Sequence, residues 1–145
     1  MGPRRWAPLL CAALVVLAGC STGAQRACTA MGGYDGVHFE VPASVWPPSA
    51  PLPLRARYCA GEACQEAAVE THGDAWFFAY NDQLSEVVVT ARLSVVDAAG
   101  APVLEASTSV APELVDINGG GCGPMVWQAR AVAAADGTLS AVPVD

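Results

Sequence analysis

The stretch RARYCAGEACQEA, residues 55–67, limits what this chain can fold into more than any other segment. Two cysteines flank a Gly–Glu pair, with one alanine on each side. Glycine at the first central position suits a two-residue type II′ turn, whose twist matches that of paired strands. Ala60 and Ala63 then form the hydrogen-bonded pair beside the turn. Cys59 and Cys64 form the next pair, where Cα atoms approach to roughly 4.5 Å, close enough for a disulfide. The same register sets Arg57 against Glu66, opposite charges across the ladder. Arg55, Arg57, Glu66 and the bridge share one face, expected to be the solvent face; Leu54, Ala56, Tyr58, Ala67 and Val69 share the other. Such a hairpin commits the chain to antiparallel sheet and to an oxidising compartment.

The start of the chain agrees with that compartment. Arg4 and Arg5 precede an apolar run from Ala7 to Ala18. A permanent membrane helix needs roughly 20 apolar residues, so a cleaved export signal fits better. The run ends Leu17-Ala18-Gly19-Cys20, which resembles the lipobox of bacterial lipoproteins. The resemblance implies that residues 1–19 are a signal peptide and that Cys20 carries the lipid. Residues 20–27 then form a short polar linker, and residues 28–145 the domain. Two or three acyl chains hold such a protein on a membrane where one is marginal. The implied location is the cell membrane, lipid-anchored and facing outside the cytoplasm. The segments ACTAMGGYDGV and YCAGEAC also resemble small actinobacterial lipoproteins of unassigned function, a similarity that brings no activity with it.

With Cys11 in the signal and Cys20 on the lipid, Cys28, Cys59, Cys64 and Cys122 remain. If Cys59 pairs with Cys64, Cys28 is left for Cys122. Four thiolates on zinc are the competing arrangement, but paired C-x-x-C spacing is missing. Loss of the signal removes two arginines and none of the 14 acidic residues, and the sequence has no lysine. The exported chain is therefore strongly acidic. It repels nucleic acid and anionic headgroups, which excludes a nucleic-acid partner and holds the domain off the bilayer.

The remaining segments alternate as strands do. GVHFEV (36–41) sends Val37, Phe39 and Val41 inward and His38 and Glu40 outward. Residues 41–53 carry five prolines and read as an extended connector. EVVVTARLSVV (86–96) places Val87, Val89, Ala91, Leu93 and Val95 on one face. Residues 97–100, DAAG, turn the chain into a partner strand at 102–110. MVWQARAVAA (125–134) groups Trp127, Ala129 and Ala131 opposite Gln128 and Arg130, and Asp136-Gly137 leads a hairpin into the closing strand. No helical period is present. The fold expected is all-β, an antiparallel β-sandwich that resembles the immunoglobulin-like kind without its Cys–Trp–Cys spacing.

Catalytic motifs are scarce. There is no Gly-x-Ser-x-Gly elbow. The glycine-rich INGGGCGP (117–124) lacks the Lys-Ser/Thr of a phosphate loop, and DIN (116–118) lacks the later ligands of a calcium loop. His72 and Asp74 could form a metal pair, but their loop position reads first as an ordinary exposed histidine, and no metal site is expected. DAWFFAYND (74–82) concentrates Trp76, Phe77, Phe78 and Tyr80. In a strand, one pair is expected to face the core and the other to face out as a candidate binding surface. The expected function is a surface-anchored, non-catalytic binding or structural lipoprotein without cofactor, facing an envelope protein or glycan. The alternative is an envelope enzyme acting on glycan or peptide, with a metal at His72.

Overall fold

A computed structural model describes Cys28 and residues 32–144. The expected signal peptide, Cys20 and the expected linker lie outside the described residues. The chain forms two packed sheets. One is ordered β4-β1-β8-β7, with β9 also on β8; the other is ordered β3-β2-β5-β6. The strands are β1 (Gly36–Val41), β2 (Leu54–Ala60), β3 (Ala63–Val69), β4 (Ala75–Tyr80), β5 (Val89–Val96), β6 (Pro102–Val110), β7 (Glu113–Asp116), β8 (Met125–Ala133) and β9 (Leu139–Val142). Every pairing is antiparallel except that of β1 with β8, which is parallel. The all-β sandwich expected from the alternation is therefore the fold.

The hairpin β2–β3 has the register expected of it: Cys59 faces Cys64, Ala60 faces Ala63 and Arg57 faces Glu66. Gly61 has φ +61° while, among the described residues, no non-glycine residue has positive φ, which is the type II′ pattern rather than type I′. Both disulfides, Cys59–Cys64 and Cys28–Cys122, are formed. One detail differs. The hairpin bridge was expected on open solvent, yet Cys59 is only 5% exposed. The reason is that β2 is an interior strand. Cys64 stands across from Cys59 on one side and Arg92 of β5 on the other.

The core follows period two. Val37, Phe39 and Val41 of β1 are fully buried, as are Leu54, Leu93, Val95 and Val110 from the second sheet. Tyr58 of β2 lies between the layers. Its ring is 6.3 Å from Phe39 and 5.0 Å, stacked, from Phe77. The expected inward row Val87–Val95 is shorter than the sequence suggests. Val87 is 65% exposed and β5 begins at Val89. The pairing of β5 with β6 stops at Val89 and that with β2 at Ala91. Beyond those partners the backbone gains nothing by staying extended.

Local chemistry sets the turns. Asp97 Oδ1 accepts from the backbone N–H of Ala99 and Ala101, at 2.8 and 2.9 Å, and closes the β5–β6 turn. Asp136 accepts from Thr138 N–H and hydroxyl; those bonds hold its carboxyl below the usual carboxylate range. The proline-rich connector contains one 3₁₀ turn, Ala43–Val45, and then drives Trp46 into the core. Neither the burial of Trp46 nor strand β7 is expected from the sequence pattern.

The two bridges should differ in worth. In the chain-entropy picture a separation of 94 residues contributes about 4–5 kcal/mol and a separation of 5 about 2 kcal/mol. In urea titrations, replacing Cys28 and Cys122 together by serine should therefore lower stability more than replacing Cys59 and Cys64. The reverse order would contradict this assignment.

Candidate functional site

The aromatic segment forms β4, an edge strand of the first sheet. The expected split into two pairs does not hold. Side chains alternate along a strand, so Trp76, Phe78 and Tyr80 share the outer face while Phe77 and Ala79 point inward. Trp76 is 67% exposed and Phe77 only 8%. Counting by two from Trp76 finds this split in the sequence itself.

Strand β1 builds the rest of the face. It pairs Trp76 with Glu40, Phe78 with His38 and Tyr80 with Gly36. On its other side β8 sets Arg130 beside His38 and Gln128 beside Gly36. The His38 ring lies 4.6 Å from that of Phe78. A Cβ at position 36 would come within 2.5 Å of the Phe78 ring and 2.4 Å of the Ala79 carbonyl, so only glycine lets Phe78 lie flat there. Tyr80 meets Tyr34 edge-on at 5.8 Å. Glu40 accepts from Arg130 at 2.6 Å, both side chains half-buried. Gln128 donates to the Tyr34 carbonyl at 3.3 Å. Asp35 ties the corner together: its carboxylate accepts from Trp127 N–H and its carbonyl from Asn81 N–H.

Between Trp76 and the Glu40–Arg130 pair runs an open groove of about 470 Å³, bordered also by His38, Gln128 and Val144. Desolvation holds the His38 imidazole below its ordinary value; a Gln128 hydrogen bond opposes this and the Arg130 charge adds to it. The groove therefore combines one exposed indole, a neutralised ion pair, an amide and an imidazole that resists protonation.

The other candidates serve the fold. His72 Nε2 meets the Ala50 carbonyl at 3.0 Å, and Asp74 accepts from Ala43 N–H at 2.7 Å. With Trp46 Nε1 donating to Gly73 O at 2.7 Å, these contacts strap the proline-rich connector to the β3–β4 loop. Among the described residues no group of three His, Cys, Asp or Glu is placed to hold a metal ion. Asp116 accepts from Asn118 and Gly121 N–H groups and shapes the glycine-rich loop that leads to Cys122. The outer face of the second sheet holds a smaller depression, about 340 Å³, around Cys59–Cys64. There Arg92 donates to Gly61 O and lies 3.9 Å from Glu62, and Arg57 faces Glu66. Arg57 stands beside Ser94 of β5 on its other side, and Arg92 stands between Cys59 and Ser107.

Two measurements probe this face. Phe77→Ala should cost about 3–5 kcal/mol, as for buried aromatics generally, while Trp76→Ala should change stability by no more than about 0.5 kcal/mol. Thermal melts separate the two, and equal large losses would place Trp76 in the core. For His38 the native value lies below the ordinary 6.5, so between the two the unfolded chain binds more protons. Its contribution to stability is intact above the unfolded value and is lost as pH falls toward the native one. His38→Gln should therefore lose less stability than the parent between about pH 7.5 and about pH 5 in urea titrations; identical losses would contradict the assignment.

No protein-family model, curated protein or solved structure matches the chain, so this face is read from its own geometry.

Proposed function

We propose that the protein is a lipid-anchored lipoprotein of the cell envelope with a non-catalytic binding role, and that the outer face of the first sheet is its binding surface. The observation that carries the binding part is Trp76. A large aromatic side chain lies exposed on an edge strand that is paired along its length with β1. Aromatic side chains at low entropic cost dominate recognition surfaces. Phe78, Tyr80 and Tyr34 continue the apolar patch, and the Glu40–Arg130 pair and Gln128 supply polar groups beside it.

The anchoring part is supported by Leu17-Ala18-Gly19-Cys20. In this reading the lipid on Cys20 is the membrane contact, and the acidic domain stands off anionic headgroups. The sandwich, taken as immunoglobulin-like, serves as a carrier that presents a sheet face sideways; the partner is an envelope protein or glycan.

Mass analysis of the chain extracted from membranes tests the anchor. The mature species should begin at a diacylated Cys20, and Cys20→Ala should remain an unprocessed precursor. A soluble product beginning elsewhere would overturn the anchor. Co-sedimentation with purified envelope fragments tests the surface. Trp76→Ala should weaken it by about tenfold or more, the mark of a hot-spot side chain, without a shift in the thermal midpoint. Unchanged sedimentation would remove this face from consideration.

A further inference from the structure

We propose that the groove between Trp76 and the Glu40–Arg130 pair is a subsite for a neutral, β-linked oligosaccharide. This rests on the reading of the first sheet's outer face as a binding surface and goes beyond it by naming the ligand class.

The chemistry of the groove selects for sugar in two ways. The indole of Trp76 presents a flat face whose quadrupole is negative. A pyranose with equatorial substituents presents flat faces made of axial C–H bonds, which carry slight positive charge. The two stack without either surrendering a hydrogen bond to water. Around the ring stand groups that match hydroxyls. Glu40 accepts and Arg130 donates from a rigid planar fork, while Gln128, held by the Tyr34 carbonyl and by His38, orients the imidazole beside them. A sugar hydroxyl is itself both donor and acceptor, so neighbouring hydroxyls can meet this mixed set.

Charge narrows the class further. Glu40 and Arg130 neutralise each other at 2.6 Å, which leaves no net charge in the groove. The whole chain carries a formal charge of −7. A polyanionic polymer is repelled by the protein and gains no cation in the groove, because Arg130 is already matched. A basic peptide is drawn to the acidic surface at large and finds no unmatched carboxylate at Glu40. A neutral polyhydroxylated chain meets neither penalty.

The same ion pair argues against a flat protein partner. Covering half-buried charges with apolar surface costs their remaining hydration. Hydroxyl groups replace that water with hydrogen bonds. An open groove suits a slender ligand whose outer side stays wet. Along β4, outward side chains recur about every 6.8 Å, two residues at roughly 3.4 Å each. The row from Trp76 through Phe78 to Tyr80 therefore gives an oligosaccharide more than one ring along which to lie. The strands beneath the row are paired, so the backbone needs no ordering in the binding step.

The test uses the full mature chain extracted in detergent, with cellohexaose, chitohexaose and polygalacturonate as probes in calorimetry and tryptophan fluorescence. At least one of the two neutral hexasaccharides should bind and perturb the fluorescence, and polygalacturonate should not. Trp76→Ala should weaken that binding by at least about tenfold, with an unchanged thermal midpoint. Glu40→Gln should weaken it while Trp46, in the core, keeps its emission. If neither neutral hexasaccharide binds but Trp76→Ala still reduces sedimentation with envelope fragments, the sugar assignment fails and the binding face survives. If neither sugar binds and sedimentation is also indifferent to Trp76, both fail. Binding of polygalacturonate alone, or neutral-sugar binding that Trp76→Ala leaves intact, would overturn the proposal as well.

Discussion

Strand β1 is the member on which the first sheet depends. It is an interior strand that pairs antiparallel with β4 and parallel with β8. Its inward residues Val37, Phe39 and Val41 are excluded from water. A one-residue slip would turn all three out and bring His38 and Glu40 into the core. Burial of three apolar side chains, each contributing about 1.5–3 kcal/mol, makes that slip unaffordable. The outer face inherits its geometry from this constraint. Because Phe39 must face Tyr58 and Phe77, His38 and Glu40 must face out beside Phe78 and Trp76.

Several ties hold β1 in place, and they come from distant parts of the chain. Asp35 reaches Trp127 and Asn81 at the end where β1 begins. At the other end the chain leaves β1 into the proline-rich connector, which Trp46, His72 and Asp74 fasten to the β3–β4 loop. That strap fixes the entry of β4 next to the exit of β1. It also explains why two polar loop residues of metal-binding type are instead engaged with backbone. Their hydrogen bonds satisfy groups that proline-interrupted chain cannot satisfy in a ladder.

Local features were legible in the sequence. The type II′ turn, the cysteine register, the Asp97–Gly100 turn and the Asp136-Gly137 turn each depend on a few adjacent residues, and each takes the expected place. The alternation of β1 was also readable, since a half-buried strand shows period two. The non-local pairing was not. Nothing in residues 36–41 announces a parallel partner at 128–132, because strand partners are chosen by collective packing rather than by pair chemistry. That is why the candidate surface was only partly visible. Trp76, Phe78 and Tyr80 stood out as a cluster, but Glu40 joins them only through the β1–β4 pairing and Gln128 and Arg130 only through the β1–β8 pairing. Trp46 was hidden for a related reason: a proline-rich segment reads as exposed connector, and only the sandwich end supplies the cavity and the carbonyl that its indole needs.

The Glu40–Arg130 pair shows how such a face can exist without weakening the fold. A pair of partly exposed charges contributes little to stability, roughly 0–1 kcal/mol. The sheet beneath does not rest on it, since Phe39, Ala129 and Ala131 are buried on the opposite side. The pair thus leaves its arrangement to be set by the surface rather than by the core. Next to it, Gly36 gives up a side chain so that Phe78 can lie against the backbone, and Trp76 remains exposed although the core of the sandwich has room for aromatic rings at Phe39, Tyr58 and Phe77. Aromatic burial is worth several kcal/mol at the inward position and is forgone at the outward one. The strand period forces some side chain outward at position 76, but it does not force a tryptophan there. A polar or β-branched residue would serve an edge strand as well and would guard it better against pairing with another chain. Strand propensity favours an aromatic there only weakly; contact with another molecule, as proposed for this face, supplies the stronger reason for an indole.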